Sequence, residues 1–300
     1  FSLQYLMKDI IFKGCATALV TPFDENGNVD FEELRKLIEF QILEGVDALL
    51  ICGTTGESAT LSTEEKKEIL EFSVQITRRR VPIIAGTGSN NTKASIELSK
   101  FAEKVGVSAL LLVSPYYNKT TQAGLISHFS EIANATSLPI ILYNIPGRTG
   151  INIEPQTCFE LSKINNIIAI KEASGNISQV AKIAMLCKDN LSIYSGNDDQ
   201  ILPTLSLGGI GVISVLSNLY PKYVHNIVYN YLDGNINKAL DMQLTSLPLV
   251  HLLFSEVNPI PIKYAMNQIG FKCGSPRLPL IELSDNNKEK IKNAIKKFNY

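Results

Sequence analysis

Short apolar runs alternate along most of the chain with longer stretches whose apolar positions recur at helical spacing. The first run, Ala16 to Val20, leads through Thr21-Pro22 and a polar turn at 24–28 into a helix carrying Leu34, Leu37, Ile38 and Ile42 on one face. The second, Ala48 to Ile51, empties into Gly53-Thr54-Thr55-Gly56-Glu57-Ser58. A helix follows that opens with a capping box, Ser62 at the N-cap and Glu65 three residues later, and runs to about Arg79. Further strands are predicted at Val81 to Ala85, Ala109 to Val113, Pro139 to Tyr143, Ile167 to Lys171, Leu191 to Tyr194 and Val212 to Val215. Between them lie helical patterns, such as Ala94, Leu98, Phe101, Ala102 and Val105, a helix from about Gln122 to Thr136, and one reaching about Lys188. A last helix opens at Tyr220-Pro221, where proline suits the first turn. Runs that are apolar on both faces suit strands covered on both sides, and strict strand-helix alternation implies a parallel sheet. Eight such units close into an α/β barrel, the (β/α)8 TIM barrel, whose chemistry sits at the carboxyl ends of its strands. From about Asn235 the alternation stops. Residues 7–234 are therefore expected to form the barrel and 235–300 a C-terminal helical appendage of two or three helices, interrupted by Asn258-Pro259-Ile260-Pro261 and by Ser275-Pro276.

Composition narrows the class. The 300 residues fall in the range that α/β barrels occupy as one domain, and 45% hydrophobic with 19% charged residues allow a large core and exclude a disordered chain. A formal net charge of −1 leaves no electrostatic footprint for nucleic acid, and the basic runs at 78–80 and 296–297 read as solvated helix ends. The expected partners are small molecules and copies of the chain itself. Cys15, Cys52, Cys158, Cys187 and Cys273 form no Cys-x-x-Cys pair, the usage of a reduced cytosolic protein. His128, His225 and His251 stand far apart and offer no ligand-spaced pair, so neither a metal nor another cofactor is expected. No apolar run approaches the roughly 18 residues of a membrane span, and the start lacks the order of a signal peptide, so a cytoplasmic location away from membranes is expected. Phe1 cannot be an initiator whereas Met7 can; residues 1–6 are expected to be a non-native remnant outside the fold.

Candidate chemistry enters at the strand ends. The run Ile167-Ile168-Ala169-Ile170 closes on Lys171 and is followed at once by Glu172-Ala173-Ser174-Gly175. Burial disfavours an ammonium and so favours the free amine, the form that attacks a carbonyl to give a Schiff base. A lysine at an arbitrary strand end more often snorkels to solvent. What raises Lys171 above that reading is its company at one barrel face: Thr54 and Thr55 after strand two, Tyr116 and Tyr117 after four, Tyr143 and Arg148 at and after five, Gly196 after seven. Each is weak alone. A Gly-Thr-Thr-Gly loop is more often a tight turn and a tyrosine pair more often packing or interface. Gly86-Thr87-Gly88 lacks the full dinucleotide fingerprint, and Asp198 and Asp199 read as a helix N-cap and a first-turn acid. Taken jointly, an amine that forms and hydrolyses an imine needs groups that pass protons, and tyrosine and threonine hydroxyls both donate and accept. The Thr54-Thr55-Gly56 loop would hold a carboxylate beside the ketone and Arg148 would fork onto a second one, which implies small keto acids as substrates.

The stretches Gly53 to Ser58, Pro115-Tyr116-Tyr117-Asn118, Tyr143 to Gly150 and Lys171 to Gly175 together resemble the dihydrodipicolinate synthase family, within the pyruvate-dependent class I aldolases that include N-acetylneuraminate lyase. The resemblance runs from about residue 13 into the C-terminal region, where Asn258 to Lys263 and Arg277-Leu278-Pro279-Leu280 also match. It implies that Lys171 forms an imine with pyruvate and that Tyr143 relays protons to and from it. It further implies that Thr54 links Tyr143 to Tyr117, with Tyr117 supplied by the neighbouring subunit of a tight dimer, dimers pairing into a homotetramer. Thr55 then matches the position that holds the pyruvate carboxylate, Arg148 the one that binds L-aspartate 4-semialdehyde, and Gly196 and Ile213 positions lining the pyruvate pocket. The implied product is 4-hydroxy-tetrahydrodipicolinate, on the way to diaminopimelate and lysine. Arg148 favours this reaction over sialic-acid cleavage; a sugar-acid aldolase and a non-catalytic barrel remain the alternatives.

Overall fold

A computed structural model describes residues 8–298; residues 1–6, expected to stand outside the fold, lie outside the described residues. Eight strands, β1 (Gly14–Ala18), β2 (Ala48–Ile51), β3 (Ile83–Gly86), β4 (Ala109–Val113), β5 (Ile140–Asn144), β6 (Ile167–Glu172), β7 (Ser192–Ser195) and β8 (Gly211–Ser214), pair in sequence order, all parallel, and β8 closes on β1. Around them run α1 (Phe31–Leu43), α2 (Thr63–Thr77), α3 (Thr92–Val105), α4 (Gln122–Asn134), the single turn α5 (Pro146–Thr149), α6 (Pro155–Ser162), α7 (Ile177–Cys187), α8 (Ile201–Ser206) and α9 (Pro221–Leu232). The expected (β/α)8 barrel is present. Beyond it α10 (Ile236–Leu253), α11 (Ile260–Gln268) and α12 (Asp285–Lys297) supply the three helices of the C-terminal segment. Among the described residues no helix is long and apolar enough to cross a membrane.

Local chemistry explains where the helices begin. The side chains of Asp30, Ser62, Asn91, Thr121 and Asn176 accept from the backbone N–H groups of Glu33, Glu65, Ala94, Gly124 and Gln179, donors that a helix start leaves without a partner. At Ser62 the carboxylate of Glu65 returns the bond, so the predicted capping box is formed. The α2 helix stops at Thr77, two residues short of the expected end, because Arg78 and Arg79 take left-handed φ values of 49° and 59°. β2 and β4 match their expected limits and the other strands shift by at most two residues at either end, since a strand's ends are set by which neighbours offer ladder partners; Gly14, for instance, pairs with Gly211 of β8.

Two separate cores follow from the period-two alternation of strand side chains. One face of each strand packs against the helices; the other fills the barrel with Ala16, Leu50, Ile84, Leu111, Ile141, Ala169, Tyr194, Ile213 and their neighbours. Phe12 closes the lower end of that interior, stacked on Tyr194 at 4.3 Å between ring centroids and accepting the tyrosine hydroxyl at its carbonyl.

Candidate active site

Alternation decides which residues meet at the top of the barrel. Ile141 and Ala169 both belong to the interior, so the residues two further on, Tyr143 and Lys171, also point inward, and they are register partners across β5 and β6. Both are buried, 4% and 5% exposed, and the Lys171 amine lies 4.2 Å from the centre of the Tyr143 ring. The next pair along, Asn144 and Glu172, must face the opposite way. There Asn144 Nδ2 donates to Glu172 Oε2 at 3.0 Å, the Ser174 N–H to Oε1 at 2.7 Å and Gln179 Nε2 to Oε2 at 3.2 Å, while Asn152 bridges Asn144 and Gln179. A buried carboxylate is costly unless its lone pairs are used. Here they are, and the network fastens the two strand ends that carry Tyr143 and Lys171. Sequence reading missed this group, although the alternation that turns Lys171 inward turns Glu172 outward into a layer where a charge needs partners.

The rim continues through β7 and β8. Gly196 N–H donates to the carbonyl of Glu172 at 2.8 Å, and a Cβ at Gly196 would lie 2.6 Å from that of Ala173, so the close approach beside the Lys171 strand requires glycine. Ile213 is buried in the interior cluster on β8. Asp198 corrects an expectation: it caps no helix of its own. Its carboxylate instead reaches across to β8, accepting from the Ser214 hydroxyl and from the N–H groups of Val215 and Leu216 at 2.9 Å each, with Asn197 in the cap position. Complete burial pushes its pKa up; those donors and the positive charge of Lys171 pull against the rise. The N-cap preference of aspartate was the wrong guide because a buried rim of N–H groups outcompeted the local one.

Thr54 and Thr55 sit on a loop held from two sides. Cys52 takes a left-handed φ of 57° at the top of β2, and Gly86 packs so close beneath it that a Cβ would meet the Cys52 carbonyl at 2.2 Å. Thr21 Oγ1 donates to the Gly56 carbonyl at 2.7 Å, and Glu57, also left-handed, sends its carboxylate into the C-terminal segment. Thr55 is buried and its Oγ1 accepts from Asn258 Nδ2 at 3.0 Å. Arg148, exposed on α5 just past Tyr143, donates from Nη2 to the backbone carbonyl of the same Asn258 at 3.1 Å.

Tyr117 behaves differently from the others. It is 90% exposed at a φ of 70°, and among the described residues no hydrogen bond joins it to Thr54 or Tyr143. Its loop is nevertheless ordered by a pair of side-chain to backbone bonds, Asn90 Nδ2 to the Tyr116 carbonyl at 3.2 Å and Asn118 Nδ2 to that of Asn90 at 2.9 Å. One chain therefore brings Lys171, Tyr143, Gly196 and Ile213 to the barrel mouth with the Thr54-Thr55 loop beside them, and leaves Tyr117 outside. A cavity of about 360 Å³ opens next to this rim, between Ser174, Gly175, Asn197 and Asp199 on one side and His251 and Phe254 of the C-terminal segment on the other. A buried amine, a tyrosine ring against it and a loop bearing two threonines are parts that imine chemistry on a keto acid can use.

Comparison with known proteins agrees with this geometry. A model of the dihydrodipicolinate synthetase family matches residues 11–298. A 4-hydroxy-tetrahydrodipicolinate synthase of Clostridium perfringens (strain SM101 / Type A) is 57% identical over 277 residues, 92% of this chain and 95% of its own length. The crystal structure of dihydrodipicolinate synthase from Aquifex aeolicus is similar with a TM-score of 0.94 and 42% identity, covering 96% of this chain and 98% of that one. The chloride-inhibited dihydrodipicolinate synthase of Acinetobacter baumannii complexed with pyruvate is similar with a TM-score of 0.93 and 39% identity, covering 96% and 98% respectively.

Proposed function

The chain belongs to the dihydrodipicolinate synthetase family, and from that membership we infer how its own residues carry out the condensation of pyruvate with L-aspartate 4-semialdehyde to 4-hydroxy-tetrahydrodipicolinate. The observation that carries the reading is the Tyr143–Lys171 pair, adjacent and buried at the inner end of two neighbouring strands. The free amine of Lys171 attacks the ketone carbon of pyruvate, and loss of water leaves the imine. Tyr143, whose ring lies against that amine, supplies the proton that lets the hydroxyl leave and takes one from the neighbouring methyl, giving an enamine. The enamine carbon then attacks the aldehyde of the second substrate. Thr55 holds the pyruvate carboxylate, Gly196 and Ile213 shape the pocket around its methyl side, and the Arg148 guanidinium receives the carboxylate of the semialdehyde.

Thr54 links Tyr143 to Tyr117, which is donated by a second copy of the chain; the nearly full exposure of Tyr117 on an ordered loop supports that role. The active unit is then a tight dimer, pairing into a homotetramer, and it works in the cytoplasm. Residues 7–234 act as the catalytic barrel and 235–300 as its C-terminal helical appendage. Borohydride reduction in the presence of pyruvate, read by intact and peptide mass, is expected to label Lys171 alone, and neither Lys171→Ala nor Lys171→Arg is expected to trap, because a guanidinium stays protonated. Turnover with the semialdehyde but not with N-acetylmannosamine separates this reaction from sugar-acid cleavage.

A further inference from the structure

Asn258 lies 203 residues from Thr55 in sequence, outside the barrel, yet touches both sides of the site. Its side chain donates to Thr55 Oγ1 and its backbone carbonyl accepts from Arg148. Two features show that the amide is there for its donor half. The side chain is buried, and its Oδ1 has no partner among the described residues. A buried acceptor left unpaired weakens a fold, and an apolar residue of similar size would avoid that loss. The second feature is at Thr55. A hydroxyl has one proton to give; because Oγ1 accepts from Asn258 and no acceptor for that proton exists among the described residues, the O–H is left free to point at a ligand.

We propose that Asn258 is a positioning residue for the keto acid: by occupying a lone pair of Thr55 Oγ1 it turns the threonine hydroxyl into a dedicated donor to the substrate carboxylate, while its backbone steadies the guanidinium that takes the second substrate. This rests on the assignment of Thr55 to the pyruvate carboxylate. The side chain serves the first substrate and the main chain the second, so substitution at Asn258 separates the two. Asn258→Ala removes the Thr55 contact and keeps the carbonyl that holds Arg148. Asn258→Asp presents an acceptor that captures the Thr55 proton and adds negative charge beside a carboxylate.

The test measures the pyruvate concentration for half-maximal borohydride trapping at Lys171, together with the KM for each substrate and kcat. For Asn258→Ala the half-trapping concentration should rise about tenfold, the scale of one hydrogen bond's contribution once the Thr55 hydroxyl is no longer held in its donating orientation, with trapping at saturating pyruvate, kcat and the semialdehyde KM nearly unchanged. In a Thr55→Val background the same substitution should produce no further shift. Asn258→Asp, which preserves volume, should raise the pyruvate requirement more than Asn258→Ala does. Undiminished pyruvate affinity in Asn258→Asp, or an Asn258→Ala effect that persists in full without the threonine hydroxyl, would overturn the proposal. An unsubstituted chain that traps no pyruvate would instead overturn the imine reading on which it stands.

Discussion

Lys263 Nζ lies 2.7 Å from Glu57 Oε1, with both side chains only 1% exposed, and this pair fastens the C-terminal segment to the loop that carries Thr54 and Thr55. Glu57 also accepts the Arg277 N–H at 2.9 Å, and the cations of Lys263 and Arg277 lie 4.1 Å and 4.2 Å from the centre of the Phe23 ring. Burial draws the Lys263 pKa down while the Glu57 charge pulls it up. Breaking such a pair strands a charge in the interior. Lys263→Met should destabilise the fold by about 3–5 kcal/mol, whereas Lys263→Met combined with Glu57→Gln should lose much less. Chemical denaturation of the two variants decides it: equal losses would mean that the ion pair is not the fastening.

Among the described residues the Arg148 side chain hydrogen-bonds only to the Asn258 carbonyl and is otherwise exposed, so its removal should leave the interior intact. Arg148→Ala is expected to lower kcat/KM for the semialdehyde by the equivalent of about 2–5 kcal/mol while leaving pyruvate trapping at Lys171 largely unchanged. Parallel loss of trapping would contradict the division of labour between the two carboxylate sites.

Complementation can test the shared site. Tyr117→Phe and Lys171→Ala chains, each impaired alone, should regain part of their activity when mixed under conditions that exchange subunits, because some sites then receive both intact residues. Exchange demonstrated by mass with no gain in turnover would place Tyr117 in the service of its own chain.

His128 makes stability depend on pH. It is buried on α4 with Nδ1 2.9 Å from Thr92 Oγ1 and Nε2 without a partner among the described residues, and burial lowers its pKa below the ordinary 6.5. On acidification the unfolded chain therefore takes up a proton before the folded chain does. The unfolded state binds more protons in that window, so stability falls as the pH drops below 6.5, by at most about 1.4 kcal/mol per unit for this one group. His128→Gln should flatten the stability profile over that range. A profile of unchanged slope would show that the histidine is not what responds.

The barrel was legible because its signals are local. A short run of apolar residues, a helical stripe and a capping serine each reflect backbone geometry over a few residues, and repeating them eight times leaves one way to close the sheet. The placement of Lys171 and Tyr143 at the mouth follows from the same local rule, since both close their apolar runs, but runs apolar on both faces do not say which face is the interior, and only the closed barrel turns the two inward. Strand limits were less secure, because the last ladder bond depends on where the neighbouring strand ends; Gly14 belongs to β1 only because Gly211 lies opposite. Asp198 shows the reverse of a local rule, its carboxylate satisfied by Val215 and Leu216 across the rim rather than by the turn that follows it. The contacts that hold the site together were out of reach. Glu57 and Lys263 are 206 residues apart, and an ion pair, unlike a helix stripe, leaves no periodic trace. Nothing near Thr55 in the sequence points to Asn258. The order of residues thus determined the architecture and which side chains stand at the strand ends, while only the closed fold decided which of them face the interior and which distant groups neutralise, orient and position them, because hydrogen bonds and buried charges choose partners by proximity in space.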